Sequence, residues 1–138
     1  MRAKNLIEQR QKLREKFKKN ITIDPSEVTV TSVDEDFLRK AASIVEKHID
    51  NPEFSVEQFS NEMSMDRNNL FRKLKKLINQ SSSQFIRTIR LKRAAQLLEQ
   101  KAAPIGEIAY MVGFEKPSYF AECFKKQFGV PPSEYVGE

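Results

Sequence analysis

The sequence predicts an all-α fold, two helix-turn-helix subdomains joined by a long linker helix and preceded by an N-terminal connector helix. Three observations carry this. Apolar residues recur at helical spacing through most of the chain, with no sustained alternation of the kind a sheet requires. The stretch from Pro104 to Val136 holds two short helical patterns that meet at a tight corner marked by Gly113. The same pattern stands upstream. Val56, Phe59, Ser60, Met63, Ser64 and Met65 match Ile105, Ile108, Ala109, Val112, Gly113 and Phe114 at an offset of 49. Leu70, Leu74, Lys75, Lys76, Ile78, Ser83, Phe85 and Ile86 then match Phe120, Phe124, Lys125, Lys126, Phe128, Ser133, Tyr135 and Val136 at an offset of 50. One extra residue in the later turn accounts for the change of phase. Solenoids need about three repeats or more, so two copies mean a duplicated module.

Taken in order, residues 1–20 form an amphipathic, strongly basic helical pattern with Leu6, Leu13 and Phe17 on one seam. It is too short for a coiled coil and reads as a connector. Residues 20–33, broken by Asp24-Pro25 and rich in β-branched residues, read as a linker. The domain proper is expected from residue 34 to residue 138, with Ser32 or Asp34 as the first N-cap. Phe37, Leu38, Ala41, Ile44, Val45 and Ile49 then make an apolar stripe as far as His48–Asp50, with His48 read as a solvated end residue.

The first helix-turn-helix is placed at about 55–78. Ser55 and Gln58 form a capping box, Asp66 caps the second helix, and Asn79 ends it by substituting for glycine in the left-handed region. Ser81 to Ser83 cap the linker helix, about 82–100, whose apolar positions extend around much of its circumference and whose Arg87, Arg90, Lys92 and Arg93 fill the remainder. The second helix-turn-helix is placed at about 104–129. Gly113 supplies its corner, Pro117 suits a first helical turn, and Gly129 ends it before Pro131 and Pro132. Cys123 falls on the inward side of that last helix as a small core residue.

Composition narrows the function. No apolar run approaches the ~20 residues of a membrane span, and no signal-peptide core follows Met1. One histidine, one cysteine and no glycine-rich phosphate loop leave no triad or metal cluster. The chain is therefore expected to be no enzyme and to need neither cofactor nor metal. Its net charge of +5 is unevenly spread. Residues 1–23 carry eight Lys/Arg against two acidic residues, 24–62 three against ten, and 63–138 thirteen against seven. Positive charge thus returns where the second helix of the first pair begins. A basic surface on paired helix-turn-helix units suits double-stranded DNA, with the second helix of each unit in the major groove. A helical protein-interaction module remains the alternative; it leaves unexplained why both second helices repeat the Lys-Lys pair.

The DNA reading assigns roles by position. Arg67, Asn68, Phe71 and Arg72 fall on or near the outward, N-terminal face of the first recognition helix, where base edges are met. Arg72 suits guanine and Asn68 adenine, while Phe71 suits either a thymine methyl or packing on the linker helix. Lys116, Ser118 and Glu122 take the corresponding places in the second unit, Glu122 suiting cytosine N4. Lys75, Lys76, Lys125 and Lys126 are candidate phosphate contacts, as are Ser81 and Ser83 at the start of the linker helix.

Residues from Phe37 to Val136 resemble the AraC/XylS family of bacterial transcription activators. The signature is Ile105-x-x-Ile108-Ala109-x-x-Val112-Gly113-Phe114, then Tyr119-Phe120-x-x-x-Phe124-Lys125-Lys126-x-x-Gly129-x-x-Pro132-x-x-Tyr135. Glu122, Asn79 and Val136 depart from the family's usual basic residue, glycine and arginine. The leading segment, Asn5-Leu6-Ile7 through Arg10, Leu13-Arg14 and Phe17, resembles the stretch after the receiver in hybrid two-component regulators. Together these resemblances imply the output domain of a two-component signalling protein, a receiver ahead of Met1, and any kinase activity upstream. They also imply RNA polymerase as a partner, dimerisation through the missing part, and a cytoplasmic location, with the full-length protein open to anchoring in the inner membrane.

Overall fold

The computed structural model describes residues 31–135, so the connector helix expected over 1–20, the linker up to residue 30 and Val136 lie outside the described residues. Seven helices and no strand occupy the described residues: α1 (Ser32–Lys47), α2 (Val56–Glu62), α3 (Arg67–Ile78), α4 (Ser82–Glu99), α5 (Ile105–Met111), α6 (Pro117–Phe128) and α7 (Pro132–Tyr135). Helix α1 starts two residues ahead of the expected boundary. Thr31 is its N-cap, accepting from the Asp34 amide at 3.1 Å.

The helix ends follow from local chemistry. Ser55 with Gln58 and Ser81 with Gln84 form complete capping boxes at the starts of α2 and α4. Asp66 caps α3 through the Asn69 amide at 2.8 Å. Asn79 and Gly129, equivalent in the two repeats, close α3 and α6 in the left-handed region. The corners inside the two helix pairs are also equivalent. Ser64 and Gly113 both have positive φ, +58° and +90°. The Ser64 amide donates to the Asn61 carbonyl and that of Met65 to Ser60; Gly113 donates to Tyr110 and Phe114 to Ala109. Both corners are thus Schellman motifs. A third, not foreseen, ends α4 at Lys101, φ +52°, with Lys101 donating to Leu98 and Ala102 to Leu97.

Two apolar cores sit side by side, and α4 supplies both. Phe85, Ile86 and Ile89 enter the first, with Leu38, Phe59, Leu70 and Leu74 among its members. Leu91, Ala94, Ala95 and Leu98 enter the second, with Ile108, Phe114, Phe120 and Phe124. Arg90 stands between these two sets. Its guanidinium donates to the Gly113 carbonyl at 3.0 Å and to the Asn51 carbonyl at 2.7 Å, tying the second unit's corner to the loop after α1.

Three local expectations need correction. Lys92, placed with the arginines on the remainder of α4, is 3% exposed, because a helix packed by two cores has little open arc. His48 is half-buried, its Nε2 2.7 Å from Glu62 Oε2 and its ring stacked on Phe54 at 4.5 Å. Cys123 is only partly buried, at the edge of the second core.

The two corners differ in what surrounds them. A Cβ built on Gly113 would lie 2.6 Å from the Ile49 carbonyl oxygen and 2.9 Å from Arg90 Cζ, whereas Ser64 is exposed. Gly113→Ala is therefore expected to destabilise the domain by ~2 kcal/mol or more, combining strain at positive φ with overpacking. Ser64→Gly should stabilise it by up to ~1 kcal/mol. Urea unfolding of both variants checks the pair, and equal effects would mean that the corners are packed alike.

Burial pushes the Lys92 amine down to about 7, against an unfolded value of about 10.4. Below the folded value both states are protonated and the folded state bears the full desolvation cost. Between the two values the unfolded state binds more protons, so stability rises with pH. Thermal unfolding from pH 6 to 10 should show Lys92→Met gaining most at pH 6, with the gap to wild type closing toward pH 10. A gap independent of pH would show that Lys92 stays charged in the fold.

Candidate nucleic-acid interface

Helix α3 turns one end of its outer face into a concave surface. Arg67, Asn68, Phe71 and Arg72 line it on one side, the opposite wall being the start of α4 at Ser81, Ser82 and Ser83, and it encloses roughly 810 Å³. The structure thus brings together all four base-contact candidates of the first unit and both serine candidates. Phe71 is 44% exposed and lines this concavity together with the start of the linker helix.

Arg72 is held in place. Asp66 accepts from the Asn69 side-chain amide at 3.0 Å, and Asn69 Oδ1 accepts from Arg72 Nη1 at 3.1 Å. The N-cap therefore orients the guanidinium through one intermediate. Lys73, the neighbouring cation, points elsewhere: its amine lies 3.9 Å from Asp34 and 5.0 Å from the centre of the Phe37 ring, on α1. Only some of the basic residues of α3 thus belong to the outer face.

The start of α4 is built to meet an anion. Its capping box consumes the Gln84 amide through Ser81 Oγ. The amides of Ser82 and Ser83 have no intrahelical acceptor at this position, and the helix dipole adds positive potential there. Ser82 is 4% exposed and its buried Oγ has no hydrogen-bond partner. Sequence reasoning offered the main-chain amides of this whole stretch and singled out the two outer serines.

The second unit is arranged differently. Lys116 is the N-cap of α6 without a side-chain cap bond, and it lines a smaller cleft of roughly 280 Å³ with Tyr119 and Arg87. Glu122, Lys125 and Lys126 line another groove, roughly 900 Å³, that also reaches Asn79 and Gln80 at the end of α3. Ser118 is exposed and lines none of the three concavities. Lys75 and Lys76 occupy the last turn of α3 as Lys125 and Lys126 occupy that of α6, and all four are exposed. Tyr119, absent from the sequence-based candidates, is 48% exposed. Hydrogen bonding with Cys123 raises its hydroxyl above the ordinary tyrosine range, and Arg87 pulls in the opposite direction. No helix among the described residues is long and apolar enough to cross a membrane.

This geometry has relatives. Residues 59–138 match the profile of a helix-turn-helix domain family. The chain is 47% identical over 135 residues to Histidine kinase P4 of Formosa agariphila, covering 98% of this chain and 10% of that protein. It is 34% identical over 82 residues to the HTH-type transcriptional activator RhaR of Pectobacterium carotovorum, covering 59% of this chain and 29% of that one. The chain therefore spans a tenth to under a third of the length of these relatives. Among solved structures, the C-terminal domain of AraT, a response regulator from Geobacillus stearothermophilus, superposes with a TM-score of 0.64 at 31% identity, over 73% of this chain and 84% of that one. The DNA-binding domain of AdpA, solved in complex with a target DNA, gives 0.64 at 26% identity, over 72% and 89%.

The tether from Asp66 to Arg72 is testable without a ligand. Asp66→Ala should cost about 1 kcal/mol of stability through the lost N-cap and should also loosen Arg72. Asn69→Ala should loosen Arg72 while leaving the cap bond, which uses the Asn69 main chain. Urea unfolding with 15N relaxation at Arg72 Nε measures both; an Arg72 as ordered in Asn69→Ala as in wild type would remove the tether from the argument.

Proposed function

This chain belongs to the AraC-type helix-turn-helix family of DNA-binding transcription regulators, and from that premise we propose how it reads its site. Helices α3 and α6 enter successive segments of the major groove on one face of the duplex. Helix α3 is the principal reader: Arg72 pairs with guanine O6/N7, Asn68 with adenine, and Phe71 contacts a thymine methyl, while Arg67 lies at the entering end. Ser81, Ser82, Ser83, Lys75 and Lys76 hold the flanking phosphates. In the second unit Lys116 and Ser118 meet the groove from the start of α6, Glu122 accepts from cytosine N4, and Lys125 and Lys126 contact backbone.

The observation that carries this reading is the concave surface joining the tethered Arg72, Asn68 and exposed Phe71 to the N-terminus of α4, from Ser81 to Ser83. Base-reading and phosphate-holding chemistry face one another across a single gap.

The likeness to a histidine kinase over nearly the whole chain, and to a response regulator's C-terminal domain, supports a wider proposal. The chain acts as the output domain of a two-component signalling protein, an activator with RNA polymerase as its protein partner. A receiver precedes it, and dimerisation through the missing part pairs two such domains on DNA. Anchoring of the whole protein in the inner membrane is compatible with this output domain facing the cytoplasm.

Selection from random duplexes, with the chain fused to a dimeriser, would supply the cognate sequence. On that duplex Arg72→Ala should cost about 1–3 kcal/mol and relax preference at one position. Lys75→Ala should weaken cognate and scrambled duplexes alike and reduce the salt slope by about one. Titrations at several salt concentrations separate these roles. Equal losses on both duplexes for Arg72→Ala would remove it as a reader, and failure of selection to enrich any sequence would leave the protein-interaction alternative.

A further inference from the structure

The two reading helices leave a gap between them, and one cation that neither unit uses stands in it. Arg87 lies on α4 one helical turn after Ser83, so the two side chains share a face. Ser83 lines both the first unit's concavity and the cleft beside Lys116. Arg87 lines that cleft and also the groove beside Lys125 and Lys126, and Tyr119 lines the same two. The hollows at the start of α4 and at the start of α6 therefore adjoin, with Arg87 on the cleft between them.

Arg87 is half-buried and forms no ion pair among the described residues, although Glu115 and Glu122 line the hollows on either side of it. Tyr119 stands beside it, lining the same two hollows. An arginine on a rigid helix with no carboxylate paired to it offers its guanidinium donors to an outside anion. Arg90, one turn-step further along the same helix, shows the contrast: both of its terminal nitrogens donate to main-chain carbonyls.

We propose that Arg87, steadied by Tyr119, is a third DNA anchor, binding a backbone phosphate of the strand that crosses between the two major-groove insertions. This inference rests on the DNA-binding reading above. It gives the linker helix a direct part in binding: besides holding the readers apart, α4 fixes the duplex between them, so the spacing of the two half-sites is sensed at Arg87. Tyr119 is a positioning residue here, acting through the guanidinium.

The experiment uses the duplex obtained by selection and a set of duplexes carrying one neutral methylphosphonate at each position between the two half-sites. Arg87→Ala should lower affinity about three- to tenfold at moderate salt and reduce the salt slope by about one, with thermal stability unchanged. Arg87→Lys should restore the slope, since a phosphate accepts either cation, and Tyr119→Phe should weaken binding less than Arg87→Ala. One internal methylphosphonate should weaken wild type and leave Arg87→Ala indifferent. Unchanged affinity and slope for Arg87→Ala on an enriched duplex would overturn this inference alone. A lowered melting temperature with an unchanged slope would do the same, by making Arg87 a link between the subdomains. Failure to enrich any duplex would overturn it together with the reading on which it rests.

Discussion

The burial of α4 on both of its sides is the constraint on which everything else depends. One helix of 18 residues gives its first half to one core and its second half to the other. Each core alone is small, and a small core stabilises its unit only modestly. Sharing a helix makes the two units one cooperative body and fixes the separation of α3 from α6. Arg90 secures the seam. Its two hydrogen bonds satisfy main-chain carbonyls from both sides of the joint, and one of them is Gly113, whose missing side chain makes room for the guanidinium. The glycine is thus required twice, once by the sign of φ and once by the close approach of Arg90.

The outline of the fold was legible because helix boundaries are written locally. Capping residues, the helical period and the offset repeat act over a few positions, and Ser55, Asp66, Asn79, Ser81, Gly113 and Gly129 all do what their chemistry requires. Ser64 shows the limit. Its match to Gly113 was visible, yet serine does not announce positive φ, and only the shared hydrogen-bond pattern reveals that the two corners are the same device. Lys92 and Arg90 were misplaced for a different reason. On a helix that is apolar around most of its arc, periodicity no longer distinguishes in from out, so charge became the only guide. Two long cationic side chains were assigned only to the arc that the apolar residues leave, and tertiary packing covers much of that arc.

The site was legible to the extent that it lies on one helix. Arg67, Asn68, Phe71 and Arg72 follow from the start of α3 and its period, and the structure gathers them in one hollow. The residues that complete the site were hidden because their roles depend on another element. Asn69 matters through Asp66 and Arg72, Ser82 through burial against the first unit, and Tyr119 through Arg87 on the neighbouring helix. Lys116, Ser118 and Glu122 were assigned by analogy with α3, and they do not converge as their counterparts do.

That asymmetry has a physical consequence for a duplicated module. Both copies inherited the same scaffold, with left-handed corners, aromatic cores and paired terminal lysines in register. Their outer faces have since diverged in chemistry. The first concentrates a tethered arginine, an amide and an exposed ring beside an anion-ready helix end, so base edges and phosphate can be engaged in the same hollow. The second places a carboxylate, Glu122, among lysines, where it lowers the attraction to phosphate at that point. A carboxylate in a major groove adds binding only where a base donor meets it and costs affinity wherever one does not. On the proposed reading its contribution would be discrimination rather than strength. On the reading proposed above, strength would come from the first unit and the phosphate contacts. The second unit, held at a fixed distance by α4, would veto a sequence that the first has accepted.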